Sequence, residues 1–151
     1  MQADKKRPKL TSRFFANRCN CNYTAEEISN LVIEAAEHAS SELGKGHSET
    51  TYEHIILNYL YDKRIPTRRQ VKFYVKISQD VVQAGILDIE IDRRALVELK
   101  AGLPDINLEH KTQLRRYMRC AEKNYINRPL VGMLVLFAKC GQIKIWQTKI
   151  E

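Results

Sequence analysis

The sequence has no apolar run long enough to cross a bilayer, and its first residues lack the hydrophobic core of a secretion signal. These absences predict an intracellular protein, nuclear or cytoplasmic and not secreted, with association with a virion as a further option. Cysteines at the spacing of a metal site are lacking as well. Only Cys19 and Cys21 of the four cysteines lie close together, and their single-residue spacing is not that of a usual zinc knuckle, so free thiols are expected.

The composition that remains is typical of one basic globular domain. Hydrophobic residues make up 44% of the 151 positions, which suits a single domain with a sizeable core, and no internal repeat is visible. The net charge of +7 favours an anionic partner, with nucleic acid first among the candidates. A basic protein without such a partner is the alternative that charge alone leaves open.

Part of the positive charge is concentrated in a basic N-terminal arm, residues 1–22, which precedes a domain predicted at residues 23–151. Lys5, Lys6, Arg7 and Lys9 form a run that is typical of a nuclear-import signal or a phosphate-binding tail. A solvated tail without a function is the alternative. Because the arm is dense in Lys and Arg, we expect it to bind a partner, including a protein of a larger assembly. Because it holds few apolar residues, we expect it to add little to folding.

Hydrophobic periodicity divides the rest of the chain into helices and strands. A capping box at Thr24 opens the first helix, Gly44 ends it, and Asn107 can cap the last one. The predicted helices span about residues 25–43, 48–61 and 108–125, and the predicted strands span residues 71–77, 85–91, 96–100, 131–137 and 143–146. This order of elements predicts an α/β sandwich around a mixed sheet, with residues 131–137 as a central buried strand.

Three charged residues lie on the hairpin predicted at residues 85–100. If its turn centres near Arg93, Asp88 falls opposite Glu98, and two like charges across a strand pair repel each other unless something positive lies between them. Lys100 lies two residues beyond Glu98 and projects from the same face. Two carboxylates with a lysine beside them suit a Mg²⁺ ion and an attacking water. A hairpin with mixed charges on its solvent face is the alternative.

These residues and others resemble the motifs of the GxxExxY family, a branch of the PD-(D/E)XK nuclease superfamily. Gly46, Glu49 and Tyr52 reproduce the motif that names the family. Asp88 matches its central aspartate, and residues 97–101, Val-Glu-Leu-Lys-Ala, match its Glu-x-Lys strand. The resemblance covers roughly residues 24–150, which is nearly all of the chain outside the arm.

A third motif of the family falls on the last predicted helix. His110, Gln113 and Tyr117 match it, and the last two are similar to the Gln-x-x-x-Tyr signature of RecB-type nucleases. One position departs from the pattern, because Leu136 precedes Phe137 where the family often has asparagine. That position is not a metal ligand in the pattern.

The resemblance implies a restriction-endonuclease-like fold, with a mixed central sheet flanked by helices, and hydrolysis of phosphodiester bonds, in DNA in preference to RNA, with Mg²⁺ or Mn²⁺. The implied site residues are Glu49, Asp88, Glu98, Lys100, Gln113 and Tyr117. In this scheme Asp88 and Glu98 hold the metal, and Glu49 ligates it through water or holds a second ion. Lys100 would orient or help deprotonate the attacking water.

Alternatives stay open for the residues outside the hairpin. Gln113 and Tyr117 lie one helical turn apart and either position Lys100, the water or a phosphate, or form a hydrogen-bonded pair at the edge of the core. Glu49 and Tyr52 are either site residues or ordinary residues of a helix surface. His110 is either a helix-start residue or a phosphate contact.

Two further functions compete with a nuclease. One is a non-catalytic subunit of the same fold with a structural or scaffolding role in a larger assembly, viral or nucleoprotein, joined through residues 1–22. The other is a nucleic-acid-binding module that uses the arm and the basic residues of the last helix. The complete set of Asp88, Glu98, Lys100 and Gln113 favours the enzyme, because a scaffold has no need of opposed carboxylates.

Overall fold

The computed structural model describes residues 13–14, 23–124 and 131–149. In chain order its elements are β1 (Arg13–Phe14), α1 (Ala25–Leu43), α2 (Glu49–Asp62), β2 (Thr67–Ile77), β3 (Asp80–Ile91), β4 (Ala95–Ala101), α3 (Leu108–Asn124), β5 (Val131–Phe137) and β6 (Ile143–Lys149). The strands form one sheet in the order β1-β2-β3-β4-β5-β6. Because β4 and β5 run parallel and the other neighbours run antiparallel, the sheet is mixed, as the sequence predicts.

Helices cover both faces of this sheet. α1 and α2 lie on one face, where their apolar side chains share a core with Ile89, Val97 and Val135. α3 lies on the other face, where its residue Leu114 packs in a core with Leu96. Coverage on both sides explains why every residue of β5 is buried and why its sequence is apolar throughout. The predicted α/β architecture is confirmed.

The helix ends follow the local signals in the sequence. The Thr24 side chain accepts a hydrogen bond from the Glu27 N–H and caps α1, and Asn107 accepts one from the His110 N–H at the start of α3. Gly44 ends α1 with a φ of 71°, a left-handed conformation that glycine adopts without a steric penalty. All three predicted helices are therefore present, with α2 beginning and ending one residue later than expected.

The strands β2 and β3 begin earlier than the sequence predicts, at Thr67 and Asp80 instead of residues 71 and 85. Residues 67–70 were missed because their polar side chains do not alternate with apolar ones. The guanidinium of Arg68 instead binds the buried Glu90 carboxylate through two hydrogen bonds of 3.0 and 2.8 Å. Residues 80–84 were missed because the outer end of the β2–β3 hairpin is exposed on both faces.

The hairpin predicted at residues 85–100, between β3 and β4, is present. Asp92 and Arg93 lie in its turn with positive φ values, and the Arg94 N–H donates to the Ile91 carbonyl at 2.9 Å. The resulting register places Ile89 opposite Val97. This pairing sets Asp88 and Glu98 across from each other at the next position.

Of the predicted arm, the structure describes only Arg13 and Phe14, which pair antiparallel with Arg68 and Thr67 at the sheet edge. The sequence pattern does not predict this strand. The rest of residues 1–22, with Cys19 and Cys21, lies outside the described residues, so the domain boundary stays a prediction. Cys120 and Cys140 are both free thiols. Within the described ranges, no helix has the length and hydropathy needed to span a membrane.

Candidate active site

The candidate site lies where β3 and β4 stop pairing. Beyond the Ile89–Val97 pair, side chains replace the backbone ladder. The Asp88 N–H donates to Glu98 Oε1 at 3.0 Å, and the Leu99 N–H donates to Asp88 Oδ2 at 2.8 Å. Each carboxylate is therefore held by a backbone amide of the opposite strand. The structure brings together the two acids that the register predicted.

Burial and repulsion make this pair of carboxylates reluctant to ionise. Burial, reinforced by the negative charge of Asp88, raises the pKa of Glu98 to about 8. Burial likewise raises the pKa of Asp88 to about 6, with Glu53 and Glu49 adding to the rise and the Leu99 N–H opposing it. When both groups are charged, a cation bound between them would offset their repulsion.

Lys100 lies beside this pair on β4. Its Nζ is 3.9 Å from Glu98 Oε2, and its positive charge lowers the pKa of Glu98 against the larger effect of burial. The alternation of β4 puts Glu98 and Lys100 on the face that α3 covers. The predicted placement of the lysine next to the carboxylates is therefore what the structure contains.

His110 belongs to the same neighbourhood as Lys100. Burial and the Lys100 charge lower the pKa of His110, and Glu49 opposes that shift. The imidazole Nδ1 is enclosed without a hydrogen-bond partner among the described residues. His110 is thus a residue of the first turn of α3, as one alternative has it, and it also lies close to the site.

Glu49 is the first residue of α2, and its side chain is partly exposed. Its negative charge raises the pKa values of both Asp88 and Glu98, so it lies within electrostatic range of both.

Tyr52 fixes the loop that precedes α2. Its ring stacks on Phe137 at 3.9 Å between centroids, and its hydroxyl donates to the Gly44 carbonyl at 2.6 Å. Tyr52 is only 2% exposed, so its interpretation as a helix-surface residue is wrong.

Gln113 and Tyr117 form a hydrogen-bonded pair that ties α3 to β3. Gln113 Nε2 donates to the Tyr117 hydroxyl at 2.9 Å, which donates in turn to the Ile86 carbonyl at 3.3 Å. Tyr117 is fully buried against Gly85, where an added Cβ would lie 2.2 Å from the hydroxyl oxygen. This geometry is that of the core-edge pair, one of the two alternatives. Burial and the Glu98 charge raise the pKa of Tyr117.

Three residues near the Asp88 and Glu98 carboxylates were not predicted as site residues, namely Glu53, Arg69 and Gln70. Glu53 lies one turn after Glu49 on α2, is only 4% exposed, and accepts a hydrogen bond from Arg69 Nε at 3.0 Å. Gln70 Nε2 lies 3.4–3.5 Å from the Glu53 oxygens and 3.3 Å from Asp88 Oδ1. Two acids one turn apart on a buried helix face were the available signal for Glu53. No sequence signal marks Gln70.

The donor set fits a hard divalent cation. In the part of the chain that the structure describes, no three His, Cys, Asp or Glu side chains are grouped to hold a metal, so Asp88, Glu98 and Glu49 do not form a three-carboxylate set. Magnesium does not require one, because it keeps several waters and binds through one or two carboxylates. Asp88 and Glu98 could supply those two carboxylates. For Glu49, the contact through a water molecule then remains as the prediction.

Comparison with known proteins identifies the superfamily of the chain. A family model of the PD-(D/E)XK nuclease superfamily matches residues 26–146, which includes both hairpin carboxylates, the lysine, and all three helices except the first residue of α1. A search of curated proteins finds no match. Nucleases of this superfamily generally use divalent metals, and the family also has non-catalytic members. The match spans most of the sequence and agrees with the mixed sheet and flanking helices, so the chain belongs to the PD-(D/E)XK nuclease superfamily.

Proposed function

We propose that this protein is a metal-dependent nuclease that hydrolyses phosphodiester bonds in DNA. The observation that carries the proposal is the pair of opposed carboxylates, the buried Glu98 and the half-buried Asp88, with Lys100 Nζ 3.9 Å from Glu98 Oε2. Burial and nearby negative charges raise the pKa values of both carboxyls, and their charges add nothing to the packing of the core. Such a pair lowers the stability of the fold, which is a cost without a benefit in a purely structural hairpin. A cation held there turns the same arrangement into a catalytic site.

A Mg²⁺ or Mn²⁺ ion bound by Asp88 and Glu98 would lower the pKa of a water molecule and offset charge on the phosphate. Lys100 lies on the same face and can orient that water or accept its proton. His110, whose pKa the Lys100 charge lowers, is positioned to contact a phosphate. Glu49, whose charge raises the pKa of Glu98, is positioned to hold a water molecule of the outer shell of the metal. Gln113 and Tyr117 act through β3, because their hydrogen bonds end on the Ile86 carbonyl.

The exposed side of α3 offers a binding surface for the nucleic-acid backbone. Arg115, Arg116 and Arg119 are exposed there. The Arg115 guanidinium and the Lys111 ammonium lie over the Trp146 ring, at 5.0 and 5.5 Å from its centroid. Because His110, in the first turn of this helix, lies within electrostatic range of Lys100, a nucleic-acid strand bound along α3 would lead toward the site. The basic arm, residues 1–22, is a second candidate contact.

We also propose that the chain belongs to the GxxExxY branch of the superfamily. Each residue of the naming motif has a local role that suits its type. Gly46 has a φ of 90°, Glu49 opens α2 toward the two carboxylates, and Tyr52 holds the loop through the Gly44 carbonyl. These roles support the subfamily assignment on physical grounds.

A non-catalytic scaffold is the second candidate, and one observation favours it. The β2–β3 hairpin carries most of the large apolar side chains that are exposed in the described residues, namely Tyr74, Val75, Ile77, Val81, Val82 and Ile86. Clustered exposed apolar side chains are typical of protein–protein contacts. Under this alternative, residues 1–22 and the hairpin would join the protein to an assembly without cleavage.

A cleavage assay separates the two candidates. Purified protein is incubated with supercoiled plasmid, DNA oligonucleotides and RNA oligonucleotides in Mg²⁺, in Mn²⁺ and in EDTA, beside Glu98→Gln. The proposal expects cleavage of DNA with either metal, none in EDTA and none by the variant. Absence of cleavage of every substrate by the parent protein would favour the scaffold.

A further inference from the structure

Strand β2 contains a backbone conformation that its sequence does not call for. Gln70 has a φ of 52°, and the other described non-glycine residues with positive φ, Arg64, Ser78, Asp92 and Arg93, all lie in turns. Positive φ is uncommon for residues other than glycine, asparagine and aspartate. A left-handed glutamine inside a strand therefore indicates that its surroundings hold it in place.

This conformation lies directly across the sheet from Asp88. The ladder between β2 and β3 pairs Arg69 with Ile89 and Val71 with Leu87, but it does not pair Gln70 with Asp88. The same position is where β3 changes layers. Leu87 packs in the core under α3, whereas Ile89, two residues later, packs in the core under α1 and α2.

The left-handed residue lets two consecutive side chains reach one carboxylate. In a regular strand, neighbouring side chains point to opposite faces. Here Arg69 Nε lies 3.0 Å from Glu53 Oε1, and Gln70 Nε2 lies 3.4 Å from Glu53 Oε2. Glu53 is buried, so both donors act in an environment with little water.

The same amide nitrogen of Gln70 lies 3.3 Å from Asp88 Oδ1. An amide NH₂ has two hydrogens, and two carboxylates flank it, so it can donate one to each. The other oxygen of Asp88, Oδ2, is already bound by the Leu99 N–H. Gln70 and Leu99 together therefore fix both ends of the Asp88 carboxylate from the two neighbouring strands.

We propose that Gln70 is a positioning residue whose amide lies between the Glu53 and Asp88 carboxylates and holds Asp88 in the orientation that binds the divalent metal. Its part in metal binding rests on the proposed nuclease function, whereas its hold on the Asp88 carboxylate does not. The left-handed backbone of β2 is the structural requirement for this contact. Partners of metal-ligating carboxylates typically change metal affinity by 10–100-fold when they are removed.

The test replaces Gln70 while sparing its backbone. Gln70→Gly adopts positive φ without strain and removes the amide. Gln70→Asn also tolerates positive φ and keeps a shorter amide. Ser78→Gly, at another position of positive φ in the β2–β3 turn, is the matched control for the effect of glycine alone. All variants are compared with the full chain for cooperative unfolding in EDTA.

Two readouts separate positioning from general stability. The first is hydrogen exchange of the Leu99 amide in EDTA, measured relative to the Val135 amide in β5. We expect Gln70→Gly to speed Leu99 exchange by about tenfold over that reference, because the Asp88 acceptor becomes mobile. The second is Mn²⁺ affinity by calorimetry, which we expect to fall at least about tenfold in Gln70→Gly, less in Gln70→Asn and not at all in Ser78→Gly.

The outcomes are distinguishable. An unchanged Leu99 exchange rate overturns the positioning role whether or not the protein binds a metal. Faster Leu99 exchange with a Mn²⁺ affinity within twofold of the parent overturns the link to the metal. If the parent itself binds no Mn²⁺, the proposed nuclease function and Gln70's part in metal binding fail together, and the Leu99 exchange rate still decides whether Gln70 holds Asp88. Should Gln70→Gly fail to fold, the same criteria apply to Gln70→Asn.

Discussion

The Asp88 N–H donates to Glu98 Oε1 at 3.0 Å across the point where β3 and β4 separate. A carboxylate that accepts a hydrogen bond from the residue bearing the opposing carboxylate cannot move away from it. The backbone thus holds the buried Glu98 carboxyl beside the half-buried Asp88 carboxyl, where ionisation of both is opposed.

The metal-free protein should lose stability as the pH rises from the ordinary carboxyl range near 4 to about 8. An acid whose pKa is higher in the folded state than in the unfolded state binds its proton more tightly when folded, so ionisation costs stability above the unfolded pKa. Glu98→Gln should therefore match the parent near pH 5 and exceed its stability by on the order of 2 kcal/mol near pH 8.

Urea unfolding in EDTA at several pH values measures this difference. Glu37→Gln, at an exposed position of α1, is the control for removal of one negative charge. Equal pH dependence in the parent and Glu98→Gln would show that the two carboxylates do not strain the folded state.

Divalent cations should stabilise the parent, and more strongly at pH 8 than at pH 6. The cation binds ionised carboxylates in the folded state alone, and protons compete with it as the pH falls. Asp88→Asn should lose most of this effect because it removes one of the two proposed ligands. Melting temperatures with and without Mn²⁺ at both pH values measure the effect, and a shift of equal size in Asp88→Asn would place the cation elsewhere.

Gly85 and Tyr117 should behave as a packing contact. Gly85→Ala places a methyl group 2.2 Å from the Tyr117 hydroxyl oxygen and 2.7 Å from a ring carbon, so it should cost about 1–3 kcal/mol of stability. Tyr117→Phe removes only the hydroxyl and should cost about 1 kcal/mol while keeping most of the cleavage activity. Loss of all cleavage in Tyr117→Phe, with its fold intact, would instead assign the hydroxyl a direct part in the reaction.

Removing residues 1–22 should change the melting temperature little and weaken nucleic-acid binding. The described part of this segment adds only a two-residue strand at the sheet edge. Its lysines and arginines should contribute to phosphate contacts, so the truncated protein should also show a shallower dependence of affinity on salt. A large fall in melting temperature would show that the segment packs as part of the domain. Removal of residues 1–12 alone, which spares β1, tests whether the strand accounts for it.

The sequence determines the hairpin carboxylates well and their support poorly. Asp88 and Glu98 were predictable because strand alternation and a short polar turn set the register by simple counting. Gln70 was not, since a positive φ in a strand depends on tertiary contacts with Glu53 and Asp88. Strand β1 was not predictable either, because two residues carry no period.

The same difference explains the longer β2. Thr67–Gln70 is polar because Arg68 binds the buried Glu90 and Arg69 binds the buried Glu53. Polar residues with buried ionic partners do not produce the alternation from which a strand is recognised. The sequence thus indicates the fold through its apolar residues, while the polar residues that support the site emerge only in three dimensions.

The most direct test of the central claim compares cleavage and binding in Lys100→Ala. Lys100 lies beside the proposed metal ligands, whereas we expect most phosphate contacts to come from other basic residues. The variant should therefore lose metal-dependent DNA cleavage and keep DNA affinity close to that of the parent. Lys63→Ala, at the opposite end of α2 from Glu49, is the matched control and should cleave like the parent. Cleavage by Lys100→Ala at the rate of the parent would contradict the assignment of Asp88, Glu98 and Lys100 as a nuclease site. The absence of cleavage by both the parent and Lys100→Ala, with Mg²⁺ or Mn²⁺, would contradict it as well.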